Sequence, residues 1–209
     1  GAGEFLERPG YVSDGDLVRL DPAALPARLP RTAGFVRDLV TATAGRAPRL
    51  SCFGLHEWAM VYRGDAPRHE AVPLRLGTAG TDAVVDSLPL QCTHHDAFRF
   101  FTPAAVPRNA GTPTREGQIA NDQPGCLHAT MDGAATPGDL LADCFALAAD
   151  VRELDMRASP YDLADLGYPP VPIETPAGRA EYARAQAAFA DRAAPLRTAL
   201  VAVCDALLA

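Results

Sequence analysis

The chain has 209 residues, 48% of them hydrophobic, enough to bury a core of its own and read as one domain. Its 26 acidic against 19 basic residues leave a net charge of −7, which repels polyanions and argues against an extended nucleic-acid footprint. All 19 basic residues are arginine, so P-loop, pyridoxal and other Schiff-base chemistries, which need a lysine amine, fall away, while bidentate recognition of carboxylate, phosphate or a base edge remains open.

Cysteines stand at 52, 92, 126, 144 and 204 with no CxxC pair, the pattern of reduced thiols in a cytoplasmic protein. No apolar run approaches the roughly 18 residues that span a bilayer, so no membrane association is expected. The chain opens on Gly1 without a methionine, and residues upstream of it are expected.

In chain order, "DPAALPARLP" offers Asp21 as an N-cap with Pro22 at the first helical position, broken again at Pro26 and Pro30. "TAGFVRDLVTATAG" carries Phe35, Val36, Leu39, Val40 and Ala44 at helical spacing and predicts a helix ending at Gly45. "CFGLHEWAMVYR" is apolar almost throughout, so its period fits a buried helix or a buried strand. From Ala71 to Phe98 two or three strand-like runs with a Gly-rich turn at Gly77 to Gly80 predict a small antiparallel sheet. Thr136 as N-cap, Pro137 behind it, and the stripe Leu140, Cys144, Leu147, Val151 and Leu154 predict a long helix stopping before Pro160. Thr175 and Pro176 start another, and a last helix is expected from Pro195 to about Leu208. The class is α+β, with a small antiparallel sheet in the N-terminal half and a mainly helical C-terminal half.

Four segments concentrate chemistry. Cys52 with His56, Cys92 with His94 and Cys126 with His128 each set a thiol within four residues of an imidazole, and these are ligands that zinc prefers. The spacings match no zinc finger, and "HEWAM" lacks the second histidine of an HExxH motif, so packed core thiols beside working histidines explain the pairs as well. No cofactor follows from the motifs alone; were a metal held, zinc or iron through His56, His94 and His128 would suit. Glu57 beside His56 is costly to bury unless paired. "CTHHDAFRFF" supplies His94 and Asp96 with Phe98, Arg99 and Phe100, a candidate wall for a flat ligand. "NDQPGCLHATMD" adds Asp122, His128 and Asp132 in a braced loop. "RELDMRASPYDL" puts Asp155 four residues after Val151, near the core stripe, with Arg152 three before it and Arg157 two after.

The strings "SCFGLHEWAMVYR", "PLRLGTAGTDAVV", "HDAFRFFTPAA", "QPGCLHATMD", "DCFALAADVRELDMRASPYDL" and "IETPAGRAEY", spanning about Leu50 to Tyr182, resemble a group of bacterial proteins commonly labelled 3-methyladenine DNA glycosylase. Against that family's pattern the chain lacks an N-terminal extension and a short aromatic, lysine-bearing stretch after Met131-Asp132, so residues 1–209 are expected to be a single domain with those two segments missing. The resemblance implies a DNA-repair hydrolase that cuts the N-glycosidic bond of a modified purine. Trp58, Tyr62, Phe98 and Phe100 would then stack the base, with Glu57, Asp96 or Asp155 as the carboxylate near the sugar. His94 joins those carboxylates as a catalytic candidate, and His56, Arg99, His128 and Arg157 complete the expected substrate-binding set. The acidic charge and the missing basic stripe favour a nucleobase-sized or other small substrate over duplex DNA. Two other readings fit the same residues: a metal-dependent enzyme with His, Asp and Glu ligands, and a non-catalytic small-molecule binding protein.

Overall fold

The computed structural model describes residues 2–26, 28–64, 71–131 and 139–209. Near the N-terminus, β1 (Tyr11–Asp14) and β2 (Leu17–Leu20) pair antiparallel with Tyr11 opposite Leu20, turning through Gly15 at a φ of 60°. Asp21 caps a 3-10 turn, Pro22–Ala24, by accepting the Ala23 N–H at 3.1 Å, and no longer helix follows from it. Helix α1 (Arg28–Ala44) begins earlier than its sequence pattern suggested. Pro30 sits in its first turn, where the missing N–H would have no partner anyway. It ends at Gly45 as expected; Leu39 faces the core, while Phe35 is turned to solvent.

Among the described residues between α1 and the long C-terminal helices come five short ones: α2 (Leu55–Ala59), α3 (Gly77–Ser87), α4 (His95–Phe98), α5 (Gln118–Asn121) and α6 (Leu127–Met131). The sheet expected between Ala71 and Phe98 is therefore not there. That stretch folds as α3, because Thr81, Val84 and Val85 are the residues it buries, and their spacing of three and four is helical. Gly77, at a φ of 60°, turns the chain into the helix and does not close a hairpin. The fold remains α+β, with its two-stranded sheet displaced to residues 11–20.

Helix α7 (Asp139–Ala158) buries Cys144, Leu147, Val151, Leu154 and Asp155 and stops short of Pro160, which forces its predecessor out of the helical region. The expected cap at Thr136 and Pro137 lies outside the described residues. Helix α8 (Pro176–Leu208) starts where Thr175 Oγ1 accepts the Gly178 N–H at 3.0 Å. A Cβ at Gly178 would stand 2.0 Å from the Pro172 carbonyl oxygen, so this close entry needs glycine. Instead of two helices broken at Pro195, α8 is one helix of 33 residues. Pro195 lies on its solvent side, as does Asp191, whose carbonyl it leaves without a helical partner, while Ala193, Leu200 and Cys204 are buried. Each large side chain buried contributes about 1.5–3 kcal/mol, so the several buried along α8, Tyr182 and Leu200 among them, together outweigh a local proline cost of about 3 kcal/mol. Among the described residues no helix is long and apolar enough to cross a membrane.

Replacing Pro195 by alanine restores a helical hydrogen bond at an exposed position. We expect Pro195→Ala to stabilise the protein by about 2 kcal/mol and raise Tm by roughly 4–8 °C in scanning calorimetry; an unchanged or lower Tm would show that α8 is broken there.

Candidate functional site

Helix α2 has only five residues, too few to be stable alone, and all five are buried. Gly54 launches it at a φ of 74°, and a Cβ there would meet Ala158 at 3.3 Å and the Tyr182 ring at 3.4 Å. This close approach drives His56 and Glu57 inward. His56 Nε2 lies 3.0 Å from Asp155 Oδ1 and 3.2 Å from Oδ2, both residues being buried. Nδ1 on the other side of the ring is 3.5 Å from Cys52 Sγ, one turn back along the chain. Arg152, one turn before Asp155 on α7, donates through Nη1 to Glu57 Oε1 at 3.1 Å and to Asp155 Oδ2 at 3.2 Å. Asp155 Oδ1 has the His56 imidazole as its close polar neighbour and no other donor among the described residues.

His128, on α6, meets His56 edge to face with ring centroids 4.7 Å apart and stacks with His94 at 5.4 Å. His94 precedes α4, where its Nδ1 accepts the Asp96 backbone N–H at 3.2 Å, leaving Nε2 3.5 Å from Asp122 Oδ2. A polar frame holds this side of the cluster. Arg46 donates to the Asp122 carbonyl at 2.7 Å, and Gln123 Oε1 accepts the Arg49 and Gly125 N–H groups at 2.7 and 2.8 Å. His56, His94, His128 and Asp155, drawn from four separate segments, thus share one buried cluster. Cys52, Cys92, Cys126 and Tyr182 line the same narrow cleft as His56 and His128.

Charge is distributed unevenly across it. Burial opposes a charge on His56, but the Asp155 carboxylate, helped by Cys52, overcomes this and holds the imidazole well above its ordinary 6.5. Burial likewise opposes ionisation of Asp155, and the His56 charge, with His128 and Arg152 behind it, outweighs it and keeps the carboxyl below its ordinary range. His128 goes the other way. Burial, then the neighbouring His56 charge, push its pKa down to about 3, so it stays neutral. Burial pushes the Cys92 thiol up to about 12 and raises Cys126 as well, so neither is a thiolate at neutral pH. Tyr182 is raised well above 10, first by burial and then by Asp155.

One ligand atom from each of His56, Glu57 and Asp155 lies within 4.8 Å of the others, and among the described residues this is the group able to grip a metal ion. His94 and His128, expected as its partners, stand outside that group. The other residues singled out in the sequence go elsewhere. Trp58 is sealed in the core, its indole N–H donating to the Ala158 carbonyl at 2.8 Å. Tyr62 donates to Asp86 at 2.7 Å beneath Arg63 and Arg108. Phe98 packs on Phe101, with centroids 5.0 Å apart, inside the core. Asp96 and Arg99 pair with each other at the surface at 3.1 Å, with Arg99 over the Phe100 ring. Arg157 bonds the Pro169 carbonyl at 2.9 Å, and Asp132 lies outside the described residues. So "LQCTHHDAFRFF" contributes His94 and Cys92 to the cluster, while its rings pack the core or lie at the surface. Tyr182 and Gln186, which donates to the Gly125 carbonyl, went unrecognised in the sequence. Their signal was two large polar side chains four apart in an alanine-rich helix, which puts both on one face.

The two shifted imidazoles set opposite pH limits in the chelator-treated protein. A raised His56 adds stability that is complete below about pH 6.5 and is lost as pH rises through its folded pKa; a depressed His128 removes stability as pH falls from about 6.5 towards 3. We expect denaturant unfolding to show maximal stability near pH 6.5, falling on each side by up to about 1.4 kcal/mol per pH unit. His128→Gln should flatten the acid limb and His56→Gln the alkaline limb; limbs unaffected by either change would refute the assignment.

No protein-family model, no curated protein and no solved structure matches this chain.

Proposed function

We propose that the chain is a metal-dependent enzyme acting on a small molecule, with a divalent ion held by His56, Glu57 and Asp155. The observation that carries this reading is the convergence of one imidazole and two carboxylates within 4.8 Å, all buried, from segments about a hundred residues apart. Burying two carboxylates costs several kcal/mol each unless cations face them. A donor set of one nitrogen and two oxygens suits zinc or ferrous iron, with positions left for water and substrate. Cys52 at His56 Nδ1 is the outer contact that orients a ligating imidazole so that Nε2 faces the ion. Asp155 Oδ1, held by the His56 imidazole alone, keeps a second lone pair that can serve an ion. Such an ion polarises a substrate oxygen or lowers the pKa of bound water. His128, kept neutral beside it, can accept a hydrogen bond there but binds a proton only weakly, and His94 buttresses it by stacking on it.

Hydrolysis of the N-glycosidic bond of a modified purine draws less support. A cationic base needs an aromatic face to stack on, and Trp58, Tyr62 and Phe98 are committed to the core. With a net charge of −7, a small substrate still fits better than a nucleic-acid duplex.

The test is elemental analysis of the purified chain, followed by chelation and calorimetric titration with Zn2+, Mn2+ and Fe2+. One ion per chain is expected, with affinity lowered at least about 100-fold in His56→Ala and Asp155→Asn proteins whose circular dichroism is unchanged. Absence of stoichiometric binding by the wild-type chain would overturn the proposal. Release of free base from alkylated nucleosides, strictly dependent on the ion, would join the two readings.

A further inference from the structure

Beside the cluster lies an open cleft of about 560 Å³, within the range of small-molecule sites, bounded on one side by α7 and on the other by the turn from Leu163 to Tyr168. The turn is preformed. The Leu166 and Tyr168 N–H groups both donate to the Leu163 carbonyl, at 3.1 and 3.2 Å, and Gly167, at a φ of 88°, permits the reversal. It holds Leu166 65% exposed and Tyr168 46% exposed, an apolar and aromatic surface for which the fold itself has no use.

Arg152 joins this cleft to the buried cluster. Its side chain is 46% exposed and lines the cleft, while Nη1 reaches back to Glu57 and Asp155. All its hydrogen bonds to described residues run through Nη1. The edge formed by Nε and Nη2 thus keeps the two parallel donors that match a carboxylate or phosphate. The two acidic residues of the cleft are each paired with another arginine, Asp150 with Arg192 at 2.8 Å and Glu153 with Arg157 at 3.5 Å. Arg152, though its Nη1 serves Glu57 and Asp155, is therefore the cleft-lining cation with a hydrogen-bonding edge on offer to a ligand among the described residues.

We propose that the cleft binds the substrate of the neighbouring cluster, and that this substrate is a small molecule with one anionic group, carboxylate or phosphate, and an apolar or aromatic body. The anion sits on the outer edge of Arg152 and the body against Leu166 and Tyr168. The identification as substrate rests on the metal-dependent reading above; the cleft's preference for aromatic anions does not. Arg152 acts here as a positioning residue, with its inner edge on the ligands of the ion and its outer edge on the substrate.

The probe is 8-anilinonaphthalene-1-sulfonate, with N-phenyl-1-naphthylamine, the same rings without the anion, as its neutral control. Fluorescence titration of the full chain should show the sulfonate bound at least about tenfold more tightly than the amine, a preference lost in Arg152→Lys, which keeps the charge but not the fork. Leu166→Asp, at an exposed position that folding does not need, should weaken both probes about tenfold. Benzoate and phenyl phosphate should displace the sulfonate and benzyl alcohol should not, the better competitor identifying the anion. Equal binding of the two probes, or sulfonate binding untouched by both substitutions, overturns the proposal. Arg152-dependent binding in a chain that takes up no metal would leave the cleft standing and remove only the metal-dependent reading.

Discussion

A carboxylate with no exposed surface is tolerable only if cations stand against it, and Asp155 has two, the His56 imidazole and the Arg152 guanidinium. That requirement organises the centre of the protein. It docks a five-residue helix that could not persist alone onto a twenty-residue one, with the Trp58 indole bonded to the Ala158 carbonyl as a second clasp one turn farther along. Gly54 lets the backbones close enough for both contacts to form. Glu57, next to His56, shares the same guanidinium, so Arg152 faces both buried carboxylates.

The surroundings sharpen the electrostatics. Neutral thiols at Cys92 and Cys126, the Tyr182 phenol and a neutral His128 wall the narrow cleft beside His56 with groups that are polar but uncharged. Interactions between the few real charges are correspondingly strong in such a low-dielectric setting. Adjacent imidazoles with opposite shifts also follow simply from position. His56 faces a carboxylate, and His128 faces the charge on His56. Arg152 reaches from this enclosure to solvent, where it borders the same cleft as Leu166.

What could be read in advance was local. The Cys52–His56 pair is close in sequence, the placement of Asp155 on the apolar stripe of α7 is a helical-period fact, and the Arg152–Asp155 pair is an i, i+3 contact. The three Cys-His segments were legible as chemistry. Which imidazole would meet which carboxylate was not, because the His56–Asp155 and His94–Asp122 contacts join residues 99 and 28 positions apart (122 − 94), and periodicity carries no information about such closures. The aromatic residues misled for a related reason. Trp58, Tyr62 and Phe98 have the composition of a binding wall, but rings of that size are also what a core of this length needs, and the polar ends of Trp58 and Tyr62 found partners at Ala158 and Asp86. Strand-like Val84 and Val85 became helical because burial on one face overrode β propensity, and Pro195 was carried through α8 because its neighbours on the buried side pack too well to release.

The central claim is that His56, Glu57 and Asp155 form one cation site. Histidine-selective ¹⁵N NMR of the chelator-treated chain, titrated with Zn2+, tests it most directly. The account predicts His56 protonated on both nitrogens at first, then Nε2 exchanging its proton for the metal at one equivalent while His128 stays neutral throughout. A His56 spectrum unmoved by stoichiometric zinc would contradict it.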